Sequence, residues 1–183
     1  MSDDLLNDLE KFKSTYYDDN KKNAVFKSAQ KTDLAARVCE QFGLTELFKR
    51  TVFLIPNVPR VFINYPTLKT FINSSNYEEF VTYAQTLFAD CIKQYGYYEC
   101  HVNLDTLTMS AVERHKKLFE VFAREPGEIE FTKFLSQVFI YNTPGLIDNI
   151  TKMLAALLDK ELLLKVIRYN KVETSLKLPE LLR

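Results

Sequence analysis

The chain has 183 residues, 46% of them hydrophobic and 13% aromatic, which is enough for one domain with a sizeable buried core. Its 24 lysines and arginines balance its 24 aspartates and glutamates, so no global positive field favours nucleic acid as a partner. The start, MSDDLLNDLE, lacks the apolar core of a signal peptide, and no apolar run reaches the roughly 20 residues of a membrane-spanning helix. The three cysteines lack metal-type spacing and are expected to be reduced thiols, which predicts a cytoplasmic protein.

Two helices are predicted at the start of the chain. Residues 3–17 place their leucines and a phenylalanine on one face, and residues 33–50 carry a second apolar face that is interrupted near Gly43. We therefore interpret residues 1–50 as a short helical N-terminal extension and residues 51–183 as the main domain.

The main domain begins with strands and helices in alternation. Two strands, 51–55 and 60–65, flank a Pro-Asn-Val-Pro turn, and an amphipathic helix over 76–94 follows, ended by Gly96. Residues 97–105 alternate in the manner of a strand that presents two different faces.

A further helix is predicted after this strand. Ser110 and Glu113 have the spacing of a capping box, His115 is on the inner face, and Pro126-Gly127 closes the helix. Strands joined by helices of this length predict an α/β fold with a mostly parallel central sheet covered by helices.

The most informative stretch is residues 137–169, which predicts strand, turn, helix, turn and strand. Residues 138–141 are an unbroken apolar run, typical of a strand buried on both faces. Thr143 is predicted to cap an amphipathic helix over residues 144–158. A second strand is expected around Val166, parallel to the first and joined by a right-handed connection.

This stretch resembles the lipid-binding lobe of the CRAL-TRIO family, where strand, Asn-Ala-Pro, apolar helix, Leu-Asp-Pro, Lys-Ile and strand follow one another. Residues 142–144 (Asn-Thr-Pro), 158–160 (Leu-Asp-Lys) and 165–166 (Lys-Val) stand at those places, and residues 101–110 resemble the family's strand-to-helix segment. The resemblance covers about residues 50–170 and implies a CRAL-TRIO-like lobe. A STAS-like domain, which shares the order of elements, is the alternative fold.

The resemblance also implies a ligand site. In the family, the helix that matches residues 144–158 is a movable gate over an apolar pocket, and a lysine at the place of Lys165 contacts the inositol phosphate of phosphatidylinositol. The glutamate partner of that lysine is matched by Lys133, so weak headgroup discrimination is expected. The residues implied to bind ligand are Tyr98, Cys100, Val102, Leu146, Ile150, Met153, Leu154, Leu157 and Lys165.

No catalytic constellation is visible in the sequence. It has no Gly-x-Ser-x-Gly, no glycine-rich phosphate loop and no His-Glu-x-x-His. His101 and His115 lack metal-ligand partners at suitable spacing, and Asp105 is interpreted as a turn former. We therefore predict that the protein is not an enzyme and has no metal or cofactor.

Two functional hypotheses remain. The first is a lipid-binding module that holds a hydrophobic ligand under the gate helix and contacts membrane surfaces transiently, as in phospholipid transfer. The second is a protein-interaction module, because related BCH-type domains keep the fold and bind small GTPases or their regulators. Aromatic side chains can fill the pocket of such a fold, and we expect a reduced apolar cavity beneath the helix.

Overall fold

The computed structural model describes residues 2–21, 25–124, 130–158 and 160–182, which form helices around one five-stranded sheet. The strands are β1 Val52–Leu54, β2 Arg60–Asn64, β3 Tyr98–Asn103, β4 Leu135–Tyr141 and β5 Val166–Arg168. The helices are α1 Ser2–Asn20, α2 Lys27–Phe42, α3 Leu44–Thr51, α4 Tyr65–Phe71, α5 Tyr77–Tyr95, α6 Met109–Arg114, α7 Lys116–Arg124, α8 Phe131–Phe134, α9 Ile147–Met153, α10 Lys160–Leu164 and α11 Lys171–Leu181.

The sheet follows the order of the sequence, from β1 at one edge to β5 at the other. β1 is antiparallel to β2, and all other neighbours are parallel. Val61, Cys100, Val138 and Val166 lie side by side across four strands. Because right-handed connections between successive parallel strands place their helices on one face, most of the helical layer lies on the same side of the sheet. The predicted α/β fold with a mostly parallel, helix-covered sheet is confirmed.

The N-terminal helices pack into the same core as the sheet. Phe48 of α3 lies with its ring centroid 5.9 Å from Phe71 of α4 and 5.5 Å from Phe80 of α5. Leu9 and Val38 are buried in this cluster together with side chains of the sheet. The predicted extension over residues 1–50 therefore shares its apolar contacts with the rest of the chain.

The opposite face of the sheet is aromatic and is covered by α11. His101 stacks on Phe139 with ring centroids 4.6 Å apart, and its Nδ1 lies 2.9 Å from the Tyr141 hydroxyl oxygen. Leu178 and Leu181 of α11 belong to the cluster that covers this face. The remaining aromatic members of this face are Phe53, Phe62 and Tyr169.

Two glycines end helices as the sequence predicts. Gly43 (φ 77°) separates α2 from α3, and Gly96 (φ 81°) ends α5 in the left-handed conformation, where its N–H donates to the carbonyl of Ile92. A side chain at either position would strain the backbone, because L residues other than glycine rarely adopt such φ angles.

The predicted capping box at Ser110 is wrong. The cap is Thr108, whose hydroxyl oxygen accepts from the Ala111 N–H at 3.3 Å, so the helix begins two residues earlier than that box requires. The helix is also divided at His115 into α6 and α7. The expected stop at Pro126-Gly127 lies outside the described residues.

The predicted helix over residues 144–158 is shorter in the structure. Thr143 does not cap it, because its hydroxyl donates to the carbonyl of Ile140 and the N-cap position of α9 is Leu146. After Met153 the chain continues through turns instead of further helix. The parallel strand expected around Val166 is present as β5.

Both histidines are shielded from protonation. Burial is the main cause that lowers the pKa of His101, opposed by Glu99. Burial, followed by the charges of Arg114 and Lys31, lowers the pKa of His115 to about 4. The Nδ1 of His115 lies 2.8 Å from the Tyr77 hydroxyl oxygen.

These lowered pKa values predict a loss of stability in mild acid. An unfolded histidine takes up its proton near pH 6.5, whereas folded His115 does so only near pH 4. The stabilisation is therefore complete above about pH 6.5 and declines as the pH falls towards 4. We expect the thermal midpoint to fall between about pH 7.5 and about pH 5. His115→Gln retains an acceptor for the Tyr77 hydroxyl and should reduce this slope, and an unaltered slope would contradict the assignment.

Candidate functional site

An apolar cavity of about 420 Å³ lies on the helical side of the sheet, near the start of β3. α5, α7 and α8 form its walls, and the chain between α9 and α10 lies across it. Its apolar lining consists of Phe88, Tyr98, Phe119, Phe122, Ala123, Phe131, Leu154, Leu157, Leu158 and Leu162. A concave site with these side chains suits a hydrophobic ligand.

Aromatic rings form one wall of this cavity. Tyr98 is the first residue of β3 and points to the helical side of the sheet, where its ring stacks on Phe88 with centroids 5.1 Å apart and planes at 18°. Phe131 of α8 meets Phe88 edge to face at 5.8 Å. Because these rings fix one another, this wall is preformed.

The Tyr98 hydroxyl is the distinctive polar group of the cavity. Tyr98 is only 4% exposed, and no described residue forms a hydrogen bond with its hydroxyl. Burial raises the pKa of this phenol far above its ordinary value, so it is neutral and can donate a hydrogen bond. A carbonyl, carboxyl or ether oxygen on a ligand would satisfy it.

The remaining polar lining residues lie on α5, on α8 and just before it. Glu130 forms an ion pair with Lys133, and the carbonyl of Thr132 accepts from the Lys165 ammonium group at 2.9 Å. Gln85 completes this polar set. These groups have partners of their own, which leaves Tyr98 as the group best placed to orient a ligand.

Leucines after α9 form the opposite wall. Leu154 is buried and anchored in a small cluster with Val112 and Ile150. Leu157 and Leu158 are half-buried and lie in the turns that follow α9. Since this wall is made of turn residues outside the helix, its side chains can move with little loss of regular hydrogen bonding.

Three of the residues proposed from the sequence line this cavity: Tyr98, Leu154 and Leu157. Cys100 and Val102 share the sheet face of Tyr98 but pack into the main core further along β3. Ile150 and Met153 pack on the Val112 cluster, and Leu146 is exposed.

Lys165 does not face the cavity. Its ammonium group donates to the carbonyls of Thr132 and Leu135 at 2.9 and 2.7 Å, which ties the start of β4 to the start of β5. In this arrangement the side chain has a structural role, and a headgroup would have to displace both hydrogen bonds.

Sequence reasoning missed the walls contributed by α5 and α7. The helical spacing of Phe88, Phe119 and Phe122 predicts that they face inward, but nothing in it places them next to Leu157. The packing of helices distant in sequence decides that contact.

Exposed leucines lie directly beside the cavity. Leu162 of α10 lines it, whereas the next two residues, Leu163 and Leu164, are 37% and 87% exposed. The two leucines therefore form a small exposed apolar patch next to the cavity.

The described helices are all too short or too polar to cross a membrane. Within residues 2–21, 25–124, 130–158 and 160–182, no cluster of histidine, cysteine or acidic side chains is arranged to hold a metal ion. Searches with models of known families, against characterised proteins and against solved structures find no match to this chain.

Proposed function

We propose that this protein binds a single-chain hydrophobic ligand, such as a fatty acid, in the cavity beside Tyr98. The observation that carries the proposal is the apolar cavity of about 420 Å³ lined by Tyr98, whose hydroxyl forms no hydrogen bond with the described residues. Burying each CH₂ group of a ligand contributes about 0.8 kcal/mol, so apolar walls alone provide affinity. The proposal involves no chemical step and no cofactor.

The size of the cavity favours one acyl chain over a complete phospholipid. A cavity of about 150 Å³ holds benzene, so by proportion 420 Å³ takes roughly sixteen carbon atoms. The Tyr98 hydroxyl would donate to the polar end of such a chain or to an oxygen along it.

The resemblance to the CRAL-TRIO family supports the same reading from the sequence. Residues 142–144 and 165–166 carry its landmarks, and the segment that this resemblance matches to the end of the family's gate helix lies across the cavity. A phosphatidylinositol headgroup site is not part of the proposal, because Lys165 is held by two backbone carbonyls and Lys133 by Glu130.

The exposed leucines of α10 suit ligand exchange at a membrane. If α10 meets the bilayer, Leu164→Asp should reduce sedimentation with phosphatidylcholine vesicles several-fold, since it places a charge in an apolar contact. Leu176→Asp on α11 is the matched control, because Leu176 is also exposed and α11 covers the opposite face of the sheet from the cavity. Equal sedimentation of both variants and the wild type would rule out this membrane contact.

A protein-interaction role is the second candidate. It is favoured by the edge of the sheet at β5, beyond which no described strand pairs, and by the exposed side chains of Ile167, Leu163 and Leu164. A strand of a partner could extend this edge and cover the leucines. This role predicts that the protein takes up no hydrophobic ligand.

Titration with a fluorescent fatty acid separates the two functions. The proposal predicts saturable binding with one ligand per chain, and competition by unlabelled fatty acid. Tyr98→Phe should weaken binding several-fold, because a hydrogen bond to the ligand is lost while the aromatic wall is kept. Binding that does not saturate would overturn the assignment to this cavity. Equal affinity for a ligand whose hydrocarbon part has twice the volume would also overturn it.

A further inference from the structure

A second cavity, of about 340 Å³, lies at the other end of the strands. It is bounded by α1 and α2 on one side and by the carboxyl ends of β2 and β3 on the other. Tyr65 directly follows β2, and Thr106 and Thr108 come shortly after β3. α/β proteins commonly bind ligands outside the carboxyl ends of their parallel strands.

The lining of this cavity is strongly basic. Lys13, Lys31, Lys69 and Arg114 all belong to it, and none of its described lining residues is an aspartate or a glutamate. These cations come from four separate helices, α1, α2, α4 and α6, so the fold brings them together from distant parts of the sequence. We call this site the basic cleft.

Two of these cations have no acidic partner. In the described part of the chain, no carboxylate lies within ion-pairing distance of Lys69 or Arg114. Lys69 instead donates to the Thr106 hydroxyl oxygen at 2.7 Å. Lys13 is paired with Glu10 at 3.2 Å, and that pair is exposed. The charges of Glu10 and Asp105 act on Lys69 from beyond ion-pairing distance, so the positive charge of the cleft is offset only in part.

The neighbouring groups respond to this charge. Burial first and the nearby Lys13 second lower the pKa of Lys69. Arg114 adds to burial in lowering the pKa of His115, which also lines the cleft. A bound anion would offset both electrostatic effects.

Hydroxyl groups complete the cleft. Tyr65 is only 9% exposed, and none of the described residues forms a hydrogen bond with its hydroxyl. The hydroxyls of Thr70, Ser74 and Thr108 belong to the same lining. A hydroxyl can donate to a phosphate oxygen and also accept from a hydroxyl of a sugar.

We propose that the basic cleft binds a small phosphorylated polyol, a ligand that carries a phosphomonoester dianion together with hydroxyl groups. Lys69 and Arg114 would contact the phosphate, since guanidinium and ammonium groups form short, charge-assisted bonds to phosphate oxygens. Tyr65 and the threonine and serine hydroxyls would contact the polyol. At about 30 Å³ per water molecule, 340 Å³ holds roughly eleven waters, which is room for a sugar phosphate.

This site is separate from the proposed hydrophobic cavity. The two cavities share no lining residue and lie at opposite ends of β3. Either proposal can therefore fail while the other stands, and fatty-acid uptake provides a readout that is independent of the basic cleft.

Calorimetric titration of the full chain with fructose 1,6-bisphosphate tests the basic cleft, with fructose as the uncharged control. We expect saturable binding of the bisphosphate that weakens as salt is added, and no binding of fructose. Arg114→Gln and Lys69→Gln should each weaken binding about tenfold. Lys117→Gln is the matched control, because Lys117 is an exposed cation of α7 outside the cleft, and it should leave affinity unchanged.

The same phosphate chemistry is also found on lipid headgroups, so a second arm uses vesicles. Phosphatidylcholine vesicles with and without phosphatidylinositol 4-phosphate are sedimented with the wild type and with both cleft variants. If the soluble bisphosphate binds, the ligand of the basic cleft is a free sugar phosphate. If only the vesicles with phosphatidylinositol 4-phosphate bind, and this binding is lost in Arg114→Gln, the ligand is a lipid headgroup. The proposal is overturned if neither probe binds, or if both cleft variants bind like the wild type while remaining folded by circular dichroism.

Discussion

Phe71→Ala should destabilise the whole chain by about 3–5 kcal/mol, the usual cost of removing a fully buried phenylalanine. Phe71 is the last residue of α4 and has no exposed surface. Its ring lies 5.9 Å from Phe48 of α3, so it joins the N-terminal helices to the helical layer of the sheet. Because these elements share one core, the loss should appear in a single cooperative unfolding transition.

Urea unfolding followed by circular dichroism measures this effect. The midpoint should shift strongly while the slope of the transition is kept. Phe134→Ala on α8 is the matched control, because that ring is partly exposed and its loss should cost less than about 1 kcal/mol. Two separate transitions, with only one of them shifted by Phe71→Ala, would show that residues 1–50 and the sheet do not share a core.

Leu157→Trp should abolish binding of the hydrophobic ligand, with affinity reduced at least tenfold. Leu157 lines the cavity from the turns after α9, and it is only half-buried. An indole ring at this position would occupy volume that the ligand needs, while the turn can adjust at a cost of about 1–3 kcal/mol.

The control for this variant is Leu176→Trp, which adds the same ring at an exposed position of α11. Fluorescent fatty-acid titration and a thermal melt should be measured on both proteins. A folded Leu157→Trp variant that binds the fatty acid as tightly as the wild type does would place the ligand elsewhere.

Elements with strong periodicity could be predicted from the sequence. α5 has a long apolar stripe and a terminal glycine, and both its bounds agree with the prediction within a residue or two. The alternation in β3 correctly separated Tyr98 and Cys100 from His101, which lies on the opposite face of the sheet. In both elements, burial of one face and the local pattern favour the same structure.

Short elements and caps could not be predicted in this way. α4 is a seven-residue helix that the sequence pattern does not predict, and its stability comes from tertiary packing of Leu68 and Phe71. Several hydroxyl side chains compete for each helix start, and only the backbone geometry decides that Thr108 caps α6 while Thr143 does not cap α9. α11, which has a capping box formed by Asn170 and Glu173, was not anticipated.

The sites illustrate the same limit. The sequence predicts a cavity beneath a helix over residues 144–158, against Tyr98, Cys100 and Val102. Tyr98, Leu154 and Leu157 line the observed cavity, whereas Cys100 and Val102 do not. The facing wall from α5 and α7 depends on how distant helices pack. The sequence does not predict the basic cleft, because its pattern does not distinguish Lys69 and Arg114 from other charged residues. Only the fold brings them together with α1 and α2.

The most direct test of the central claim is native mass spectrometry of the full chain purified from cells without detergent. The account predicts a species heavier than the 21.4 kDa chain by the mass of one single-chain lipid, which is released on denaturation and absent from Leu157→Trp. A wild-type protein that carries no such ligand and acquires none after incubation with fatty acid would contradict the account.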